Sequence, residues 1–443
     1  MQTIESFLQD VERRTPHAPL LLQAVEEVAR TVWPMLHAHP QWLDASVMKR
    51  LVEPDRSISF RVRWRDDAGE VHVDRGYRVQ QSRILGPYKG GLRFAEHVDE
   101  GVMRFLAFEQ NFKGALTGLP LGGAKGGATF NPRGRSVEEI QRFCFAFMTE
   151  LQHHIGPDRD VPAGDIGVGE RELGFLYGVY QQLGGLSPGA MTGKAVAWGG
   201  IPLRAEATGY GLVYIASTAL RHHDRTIEGL RCAISGAGNV AVHAAAKAIA
   251  MGAHVISLSN SQGVAHWPDG LRAEQLEQVK QSQSEGRRLP DIARDVGASF
   301  QASATPWHLP NIDVALPCAT QNELDHDDAS ALLSSGRLQL VAEGANMPCT
   351  AEATRAFTDA DVLFIPGKAA NAGGVATSGL EMSQNAQRIP WTREKVEKEL
   401  TACMRRIHDR CVEFGGEGRK VDYAAGANRA AFYRLATTME AFG

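Results

Sequence analysis

The sequence predicts an α/β fold divided into two domains. From Arg231 onward, short apolar runs alternate with helical patterns, which is typical of a parallel, doubly wound sheet with helices on both faces. Before that point, the stretches 57–66 and 70–80 alternate apolar and polar residues and predict strands of a different sheet. The chain has 443 residues, more than a single hydrophobic core usually accommodates. We therefore expect the boundary between the two domains close to Ile201.

The first domain is expected to combine its strands with helices. Over residues 1–55, apolar residues recur at helical spacing. A long helix is predicted around 99–116, where Phe105, Phe108 and Phe112 form one apolar stripe. This stripe should face the core of the domain.

The second domain is expected to contain five strands of the parallel sheet. The predicted strands lie in the runs RCAIS (231–235), HVISLS (254–259), IDVALPCA (312–319), LQLVAEGA (338–345) and DVLFIPG (361–367). Helical patterns separate these runs, as the crossover connections of a parallel sheet require. Two amphipathic helices, at 392–414 and 422–441, close the chain.

Composition narrows the classes of function. The formal net charge is −4 with both signs interspersed, which argues against a nucleic-acid partner and against an anionic membrane surface. No apolar segment reaches the roughly 18 residues that a membrane span needs. The six cysteines show no metal-ligand spacing and lie mostly in apolar runs. We therefore expect no metal site, and we expect a reducing compartment, the cytoplasm.

Lysines among glycine and apolar residues indicate a binding site for a small anion. Lys89 lies in GPYKGGLRF, Lys113 in FEQNFKGAL and Lys125 in GGAKGG. Glycine lets the backbone approach a ligand closely, and three cations placed in this way suit a small molecule with several negative charges. Asp165, in DVPAGDIGVG, is available for proton transfer, although taken alone it fits an Asx turn equally well.

A glycine-rich turn indicates a second ligand. Gly236 and Gly238 match the fingerprint of a dinucleotide-binding turn, and Asn239 and Val240 open the helix that follows. The glycines permit a tight turn and a close backbone approach, and the helix N-terminus favours the pyrophosphate. The alternative is a glycine-rich turn in some other α/β protein. The strand before the turn and the helix and strand after it favour a Rossmann-like domain that binds NAD or NADP.

The loop after the second strand of this unit bears on the choice of cofactor. An NAD site usually places Asp or Glu there, whereas residues 254–263 contain no acid. The candidate contacts for a 2′-phosphate are Ser259, Asn260, Ser261, Lys280, Arg287 and Arg288. The alternative is that the basic residues only form a solvated helix end and loop. The loop favours NADP, and an NAD-dependent form stays open.

Ten motifs resemble glutamate dehydrogenases of the small hexameric type, in the same order along nearly the whole chain. They include GPYKGGLRF, FEQNFKGAL, GGAKGG, SGAGNVA (235–241), PCATQNEL (317–324), EGANMP (343–348) and GKAANAGGVATSGLEMSQN (367–385). The resemblance implies a substrate-binding and oligomerisation domain over 1–200, completed by a C-terminal helix at 420–443. It implies a Rossmann dinucleotide-binding domain over 201–419, and a homohexamer.

The resemblance also implies which residues react. Lys125 would be the catalytic lysine, and Asp165 would carry a proton to and from the amine beside the Gly164 carbonyl. A catalytic lysine must be partly neutral, and we expect Lys89 and Lys113 to lower its pKa by charge repulsion.

The resemblance further implies which residues bind. Lys89 and Ser378 would hold the side-chain carboxylate of the substrate, and Lys113 with Gln110 would hold its α-carboxylate. Ala319 and Asn346 would line the nicotinamide and its ribose, and Thr208 would lie at the rim of the cofactor site.

The reaction implied is the reversible oxidative deamination of L-glutamate to 2-oxoglutarate and ammonium, in a cleft between the domains with NADP. A dehydrogenase of an apolar amino acid, such as leucine or phenylalanine, is the nearest alternative. Ser378 favours the acidic substrate, because an apolar side chain needs no clamp formed with Lys89. A catalytically inactive binding protein is the alternative of another class, and the presence of every residue assigned to the reaction disfavours it.

Overall fold

The structure, a computed structural model, describes residues 3–184, 187–416 and 420–443. It divides into two compact units. The first comprises Met1–Pro202, Ala376–Val396 and Asn428–Gly443, and the second comprises Leu203–Val375 and Glu397–Ala427. The segment 376–396 thus packs with the first unit, whereas the sequence placed it in the second domain. Within the first unit, Glu381 of this segment forms a buried ion pair with Lys194.

The first unit begins with helices and continues with a mixed sheet. Its first four helices are α1 (Ile4–Arg14), α2 (Pro19–Ala38), α3 (Pro40–Asp44) and α4 (Val47–Val52). Its strands are β1 (Arg56–Arg65), β2 (Val71–Ser82), β3 (Tyr88–Phe94), β4 (Gly123–Ala128) and β5 (Asp160–Gly164). Three further helices of this unit are α5 (Glu100–Leu116), α6 (Val137–Leu151) and α7 (Glu170–Gln182).

The order of strands in the first sheet is β1-β2-β4-β3-β5. The pairs β1–β2 and β2–β4 are antiparallel, whereas β4–β3 and β3–β5 are parallel. Strands β1 and β2 confirm the two alternating stretches. Strands β3, β4 and β5 were not predicted, because they are short and rich in glycine, which weakens any strand pattern. These three parallel strands carry Lys89, Lys125 and Gly164.

Helix α5 confirms the predicted helix and its apolar stripe. The Asp99 side chain caps the helix by accepting a hydrogen bond from the backbone N–H of Val102 at 2.7 Å. Phe105, Phe108 and Phe112 are all buried. The helix therefore presents an apolar face to the core, while its polar side remains available for a binding site.

The second unit contains a seven-stranded sheet. Its strands are β6 (Arg231–Ile234), β7 (His254–Asn260), β8 (Gly263–His266), β9 (Ser299–Ala302), β10 (Val314–Leu316), β11 (Leu340–Ala342) and β12 (Leu363–Ile365). Its helices are α8 (Ala207–His222), α9 (Asn239–Ala250), α10 (Ala273–Ser284), α11 (Leu289–Asp295), α12 (His326–Ser334), α13 (Ala351–Asp359) and α14 (Gly367–Ala370). The chain closes with α15 (Gly373–Gln387), α16 (Arg393–Gly415) and α17 (Tyr423–Phe442).

The order of strands in the second sheet is β12-β11-β10-β6-β7-β8-β9. The five predicted strands are present as the parallel set from β12 to β7. Strands β8 and β9 extend that set in antiparallel fashion and were not predicted. Over the described ranges, no helix has both the length and the apolar character needed to cross a membrane.

Candidate active site

Parallel pairing of three strands brings the predicted reacting residues together. Leu92 in β3 is paired with Gly126 in β4 and with Gly164 in β5. Lys125 directly precedes one of these glycines and Asp165 directly follows the other. As a result, Lys125 Nζ lies 3.1 Å from Asp165 Oδ2.

A third residue, Arg93, completes this cluster. Its Nε donates to the same oxygen, Asp165 Oδ2, at 2.7 Å. Arg93 was not among the residues predicted from the sequence, although it lies in the motif that carries Lys89. Because successive side chains of a strand alternate in direction, Arg93 shares the face of Lys89, and this signal could have found it.

The surroundings perturb the pKa of both predicted reacting residues, Lys125 and Asp165. Burial lowers the pKa of Lys125 from its ordinary value, and the charges of Arg93 and Arg78 lower it further, while Asp165 opposes the shift. Neither arginine was among the residues expected from the sequence to lower this pKa. For Asp165, burial alone would raise the pKa, but the positive charges of Lys125 and Arg93 outweigh it and lower the pKa to about 2. Asp165 is therefore ionised at neutral pH, and Lys125 loses its proton more easily than a surface lysine.

A fully buried ion pair supports the strands that carry the site. The Arg78 Nε donates to Asp160 Oδ2 at 2.9 Å, its Nη2 donates to Asp160 Oδ1, and both side chains are inaccessible to solvent. Gln80 Nε2 donates to the same carboxylate at 2.9 Å. Arg78 Nη1 also donates to the carbonyl oxygen of Gly90 at 3.0 Å. The pair thereby fixes the backbone of β3 beside Lys89, a role that the sequence did not reveal.

The predicted anion-binding lysines lie on β3 and α5. Lys89 is buried, whereas Lys113 and Gln110 on α5 are half-buried. A Cβ atom added at Gly90 would lie 3.4 Å from Gln110 Cγ, so the α5 side chain packs directly on the strand next to Lys89. At Gly91, a Cβ atom would lie 2.7 Å from the carbonyl oxygen of Gly164, which is why glycine is required there.

Ser378 belongs to the same unit as these lysines. It is buried in α15. Its neighbour Gly379 approaches the loop between α5 and β4, since a Cβ atom there would lie 2.7 Å from Leu119 Cδ1 and 3.2 Å from Leu121 Cδ1. The structure therefore places Lys89, Gln110, Lys113, Lys125, Gly164, Asp165 and Ser378 in one unit.

The glycine-rich turn of the second unit has the geometry of a phosphate cradle. Gly236 has φ +81°, and a Cβ atom there would lie 3.2 Å from Ala319 Cα. At Gly238, by contrast, a Cβ atom would meet nothing within 4 Å, so the space over the start of α9 is open. Asn239 opens that helix and its Nδ2 donates to the carbonyl oxygen of Ala205 at 2.6 Å. These residues fit a dinucleotide pyrophosphate.

The polar residues at the end of β7 and in the loop after it differ in burial and in what they bind. Ser259 Oγ is buried and accepts a hydrogen bond from the Gly236 backbone N–H at 3.0 Å, so this hydroxyl shapes the glycine turn. Asn260 and Ser261 are exposed. The Asn260 side-chain oxygen accepts from the Gln262 N–H at 2.9 Å and holds the loop in a tight turn.

The three basic candidates near this loop differ in their surroundings. Lys280 Nζ lies 2.8 Å from Glu277 Oε1, and Arg287 Nη2 lies 2.5 Å from Asp295 Oδ2. Arg288 instead meets the loop itself. With the Gln262 carboxamide oxygen turned toward it, this oxygen accepts from Arg288 Nη2 at 3.1 Å and from Nε at 3.2 Å. Arg288 is thus the candidate cation joined directly to the turn that follows Asn260.

Three further predicted cofactor contacts also lie in the second unit. Asn346 is exposed, and its side-chain oxygen accepts from Asn371 Nδ2 at 3.0 Å. Thr208, near the start of α8, faces Gly374, where an added Cβ atom would lie 2.6 Å from the threonine Oγ1. Val240 follows Asn239 in the first turn of α9.

Two family models match the chain over most of its length. One, described as the dimerisation domain of Glu/Leu/Phe/Val dehydrogenases, matches residues 54–182. The other, described as glutamate/leucine/phenylalanine/valine dehydrogenase, matches residues 199–443, which is more than half of the chain. The chain belongs to the Glu/Leu/Phe/Val dehydrogenase family. The resemblance inferred from the motifs is thereby confirmed. The predicted class of the protein, an amino-acid dehydrogenase, is confirmed as well.

Relatives of this dehydrogenase match it from end to end. An NADP-specific glutamate dehydrogenase from Salmonella typhimurium is 51% identical over 442 residues, which cover 100% of this chain and 98% of the relative. An NADP-specific glutamate dehydrogenase from Escherichia coli is 50% identical with the same coverage. These identities extend over both units.

Solved structures confirm the predicted fold class. Glutamate dehydrogenase from Plasmodium falciparum is similar with a TM-score of 0.95 at 44% identity, covering 98% of this chain and 93% of that one. A hetero-hexameric glutamate dehydrogenase from Thermus thermophilus is similar with a TM-score of 0.82 at 26% identity, covering 93% of this chain and 97% of that one.

Proposed function

We propose that this chain catalyses the reversible oxidative deamination of L-glutamate to 2-oxoglutarate and ammonium, with NADP as its cofactor. The contact between Lys125 Nζ and Asp165 Oδ2, at 3.1 Å in the same unit as the buried Lys89, carries the proposal. The names of the Salmonella and Escherichia relatives bear out the predicted activity and the predicted NADP.

The two reacting residues divide the proton transfers between them. Bound NADP supplies the acceptor for the hydride that leaves Cα of glutamate. Asp165, ionised at neutral pH, removes a proton from the substrate ammonium so that the amine can form the iminium. Lys125 in its neutral form then removes a proton from the water that adds to the iminium carbon. Asp165 returns its proton to nitrogen and the C–N bond breaks. The hydroxyl proton passes to the departing ammonia as the new carbonyl forms, so ammonium leaves, and Lys125 then releases its extra proton to solvent.

Two pairs of residues would orient the substrate. We propose that Lys89 and Ser378 bind the side-chain carboxylate and that Lys113 and Gln110 bind the α-carboxylate. The support is their common location, since β3, α5 and α15 place all four in the first unit with Lys125. Two carboxylates each need a cationic partner, and an amide or hydroxyl beside each cation fixes the angle of approach.

The second unit would bind the cofactor. We propose that Gly236, Gly238, Asn239 and Val240 surround the pyrophosphate at the start of α9. The rest of the proposed cofactor site comprises Thr208, Ser259, Asn260, Ser261, Lys280, Arg288, Ala319 and Asn346. The open space over Gly238 supports this, because a phosphate needs room where any other residue would place a Cβ atom.

We further propose that the chain assembles as a homohexamer and works in the cytoplasm. Support for assembly comes from the Thermus relative, described as hetero-hexameric, and from the family's description of residues 54–182 as a dimerisation domain. Light scattering behind size exclusion tests this, and a mass of six chains is expected.

A substrate panel tests the proposed reaction. NADPH oxidation is followed with 2-oxoglutarate and ammonium, and each component is omitted in turn. We expect NADPH consumption only in the complete mixture, and slower consumption with NADH. Matched reactions contain 4-methyl-2-oxopentanoate or phenylpyruvate, the oxo acids of leucine and phenylalanine. Faster turnover of either would reassign the substrate within the family, and no turnover of any would favour the non-catalytic alternative.

A further inference from the structure

An ion pair outside the reacting cluster joins two segments of the first unit that are remote in sequence. Lys194 Nζ lies 2.8 Å from Glu381 Oε1, and both side chains are inaccessible to solvent. Removing two charges from water is costly, and a well-packed apolar pair often gives equal or better stability. Stability alone is therefore a weak reason for this pair.

Glu381 binds the backbone of residues 193–194 as well as the ammonium group of Lys194. Its Oε2 accepts a hydrogen bond from the Gly193 backbone N–H at 2.8 Å, and its Oε1 accepts from the Lys194 backbone N–H at 3.4 Å. Glu381 lies in α15, three residues after Ser378, so the two side chains occupy neighbouring positions on the helix. Any shift of Glu381 along or around the helix axis therefore moves Ser378.

The segment held by Glu381 is bonded in turn to the strand that leads to Asp165. The Thr192 backbone N–H donates to the carbonyl oxygen of Pro162 in β5 at 3.0 Å. Lys194 Nζ also donates to the carbonyl oxygen of Met191, which closes the segment on itself. Gly193 has φ +85°, a conformation that suits glycine. Residues 191–194 thus form a strap between β5 and α15.

We propose that Lys194 and Glu381 are positioning residues that set Ser378 at its distance from β3 and β5. This inference rests on the proposed function, in which Ser378 and Lys89 bind the distal carboxylate of glutamate. Over the described residues, no hydrogen bond or ion pair joins Lys194 or Glu381 to Lys125, to Asp165 or to the glycine turn of the second unit. The effect of the pair is therefore on recognition of the distal carboxylate and not on the proton transfers at Lys125 and Asp165.

The test removes both charges at once. Replacing Lys194 by Met together with Glu381 by Gln leaves no unpaired buried charge and keeps an oxygen that can accept from the Gly193 N–H. We expect the KM for 2-oxoglutarate to rise about tenfold with kcat changed less than about threefold. Turnover of 2-oxopentanoate, which has a methyl group in place of the distal carboxylate, should change little. The ratio of the two kcat/KM values should fall about tenfold.

A double variant at a half-exposed ion pair of the second unit and a conservative variant serve as controls. Arg337→Met with Asp313→Asn neutralises an ion pair of 3.1 Å in the second unit, and we expect both kcat/KM values to stay unchanged. Glu381→Asp keeps the charge but withdraws it from Gly193, and a smaller rise of the same KM is expected. If the double variant does not fold, then the KM of Glu381→Asp for 2-oxoglutarate tests the positioning role.

The outcomes distinguish this inference from the function on which it rests. An unchanged ratio of kcat/KM in folded variants, or an equal loss for both oxo acids, would overturn the positioning role while the function stands. Failure of the unmodified protein to turn over 2-oxoglutarate would instead overturn the proposed function.

Discussion

Arg93 Nε and Lys125 Nζ approach the same oxygen of Asp165, at 2.7 and 3.1 Å. One carboxylate oxygen therefore balances two cations, one of which stays charged while the other must lose its proton to act. Arg93 stabilises the ionised aspartate and, through its charge, also disfavours protonated Lys125. This sharing gives a permanently charged arginine control over both reacting residues.

Replacing Lys125 by Ala should abolish turnover and leave NADP binding intact. General acid–base groups typically contribute about 10²- to 10⁴-fold, and we expect kcat to fall by at least about 10³-fold. The kcat is measured by NADPH oxidation, and binding is measured by titration of NADPH fluorescence. Near-normal kcat would remove Lys125 from the mechanism, and loss of NADPH binding would show that the variant is damaged beyond the site.

The pH dependence of kcat/KM should reveal the lowered pKa of Lys125. The neutral amine is the active form, so activity should rise with pH through a pKa below the ordinary lysine value of 10.5. In Arg93→Gln, loss of the guanidinium charge raises the pKa of Lys125 and of Asp165, so the rising limb should move to higher pH. Arg61→Gln, an exposed arginine of β1, is the matched control. An unmoved limb in Arg93→Gln would contradict the electrostatic account.

The pair Arg78–Asp160 should matter more for stability than a comparable exposed pair. Asp160→Asn leaves the buried Arg78 guanidinium without its counter-charge, and such a loss typically costs about 3–5 kcal/mol of unfolding free energy. Asp67→Asn removes the partner of Arg142, an exposed pair whose loss should leave the urea midpoint nearly unchanged. Urea unfolding of both variants checks the contrast, and equal midpoints would contradict it.

Asn260 should influence cofactor choice because it occupies the position where an acid usually marks an NAD site. In Asn260→Asp, the new charge repels a 2′-phosphate, and we expect kcat/KM for NADPH to fall about 10- to 100-fold with little change for NADH. Asn311→Asp, at an exposed turn of the same unit, is the control. If the ratio of NADPH to NADH activity does not change in Asn260→Asp, then the loop after β7 does not recognise the 2′-phosphate.

Residues within short local motifs could be predicted from the sequence, whereas contacts between residues remote in sequence could not. Lys125 and Asp165 could be recognised because glycine and apolar neighbours mark them within short motifs. Lys194 and Glu381 are 187 residues apart, and nothing near either residue predicts their pairing. Ser259 was predicted from the sequence as a contact for a 2′-phosphate, and only the fold shows that its buried hydroxyl accepts a hydrogen bond from the Gly236 N–H.

The strands that could be predicted were likewise those with a clear local pattern. Strands β1 and β2 were found because side chains on their two faces differ in polarity. Strands β3 and β4 were hidden because glycine occupies the positions where other segments come closest, such as Gly91 against Gly164. The residues that make room for a substrate therefore erase the periodicity from which a strand is recognised.

We propose that Lys125 and Asp165 together catalyse the joining of ammonia to 2-oxoglutarate, with oxidation of NADPH. The most direct measurement supplies isotopically labelled ammonium with 2-oxoglutarate and NADPH and then analyses the products by mass spectrometry. The account predicts labelled L-glutamate in a one-to-one ratio with the NADPH oxidised, and none from Lys125→Ala. NADPH oxidation without labelled glutamate, or labelled product at an undiminished rate from Lys125→Ala, would contradict it.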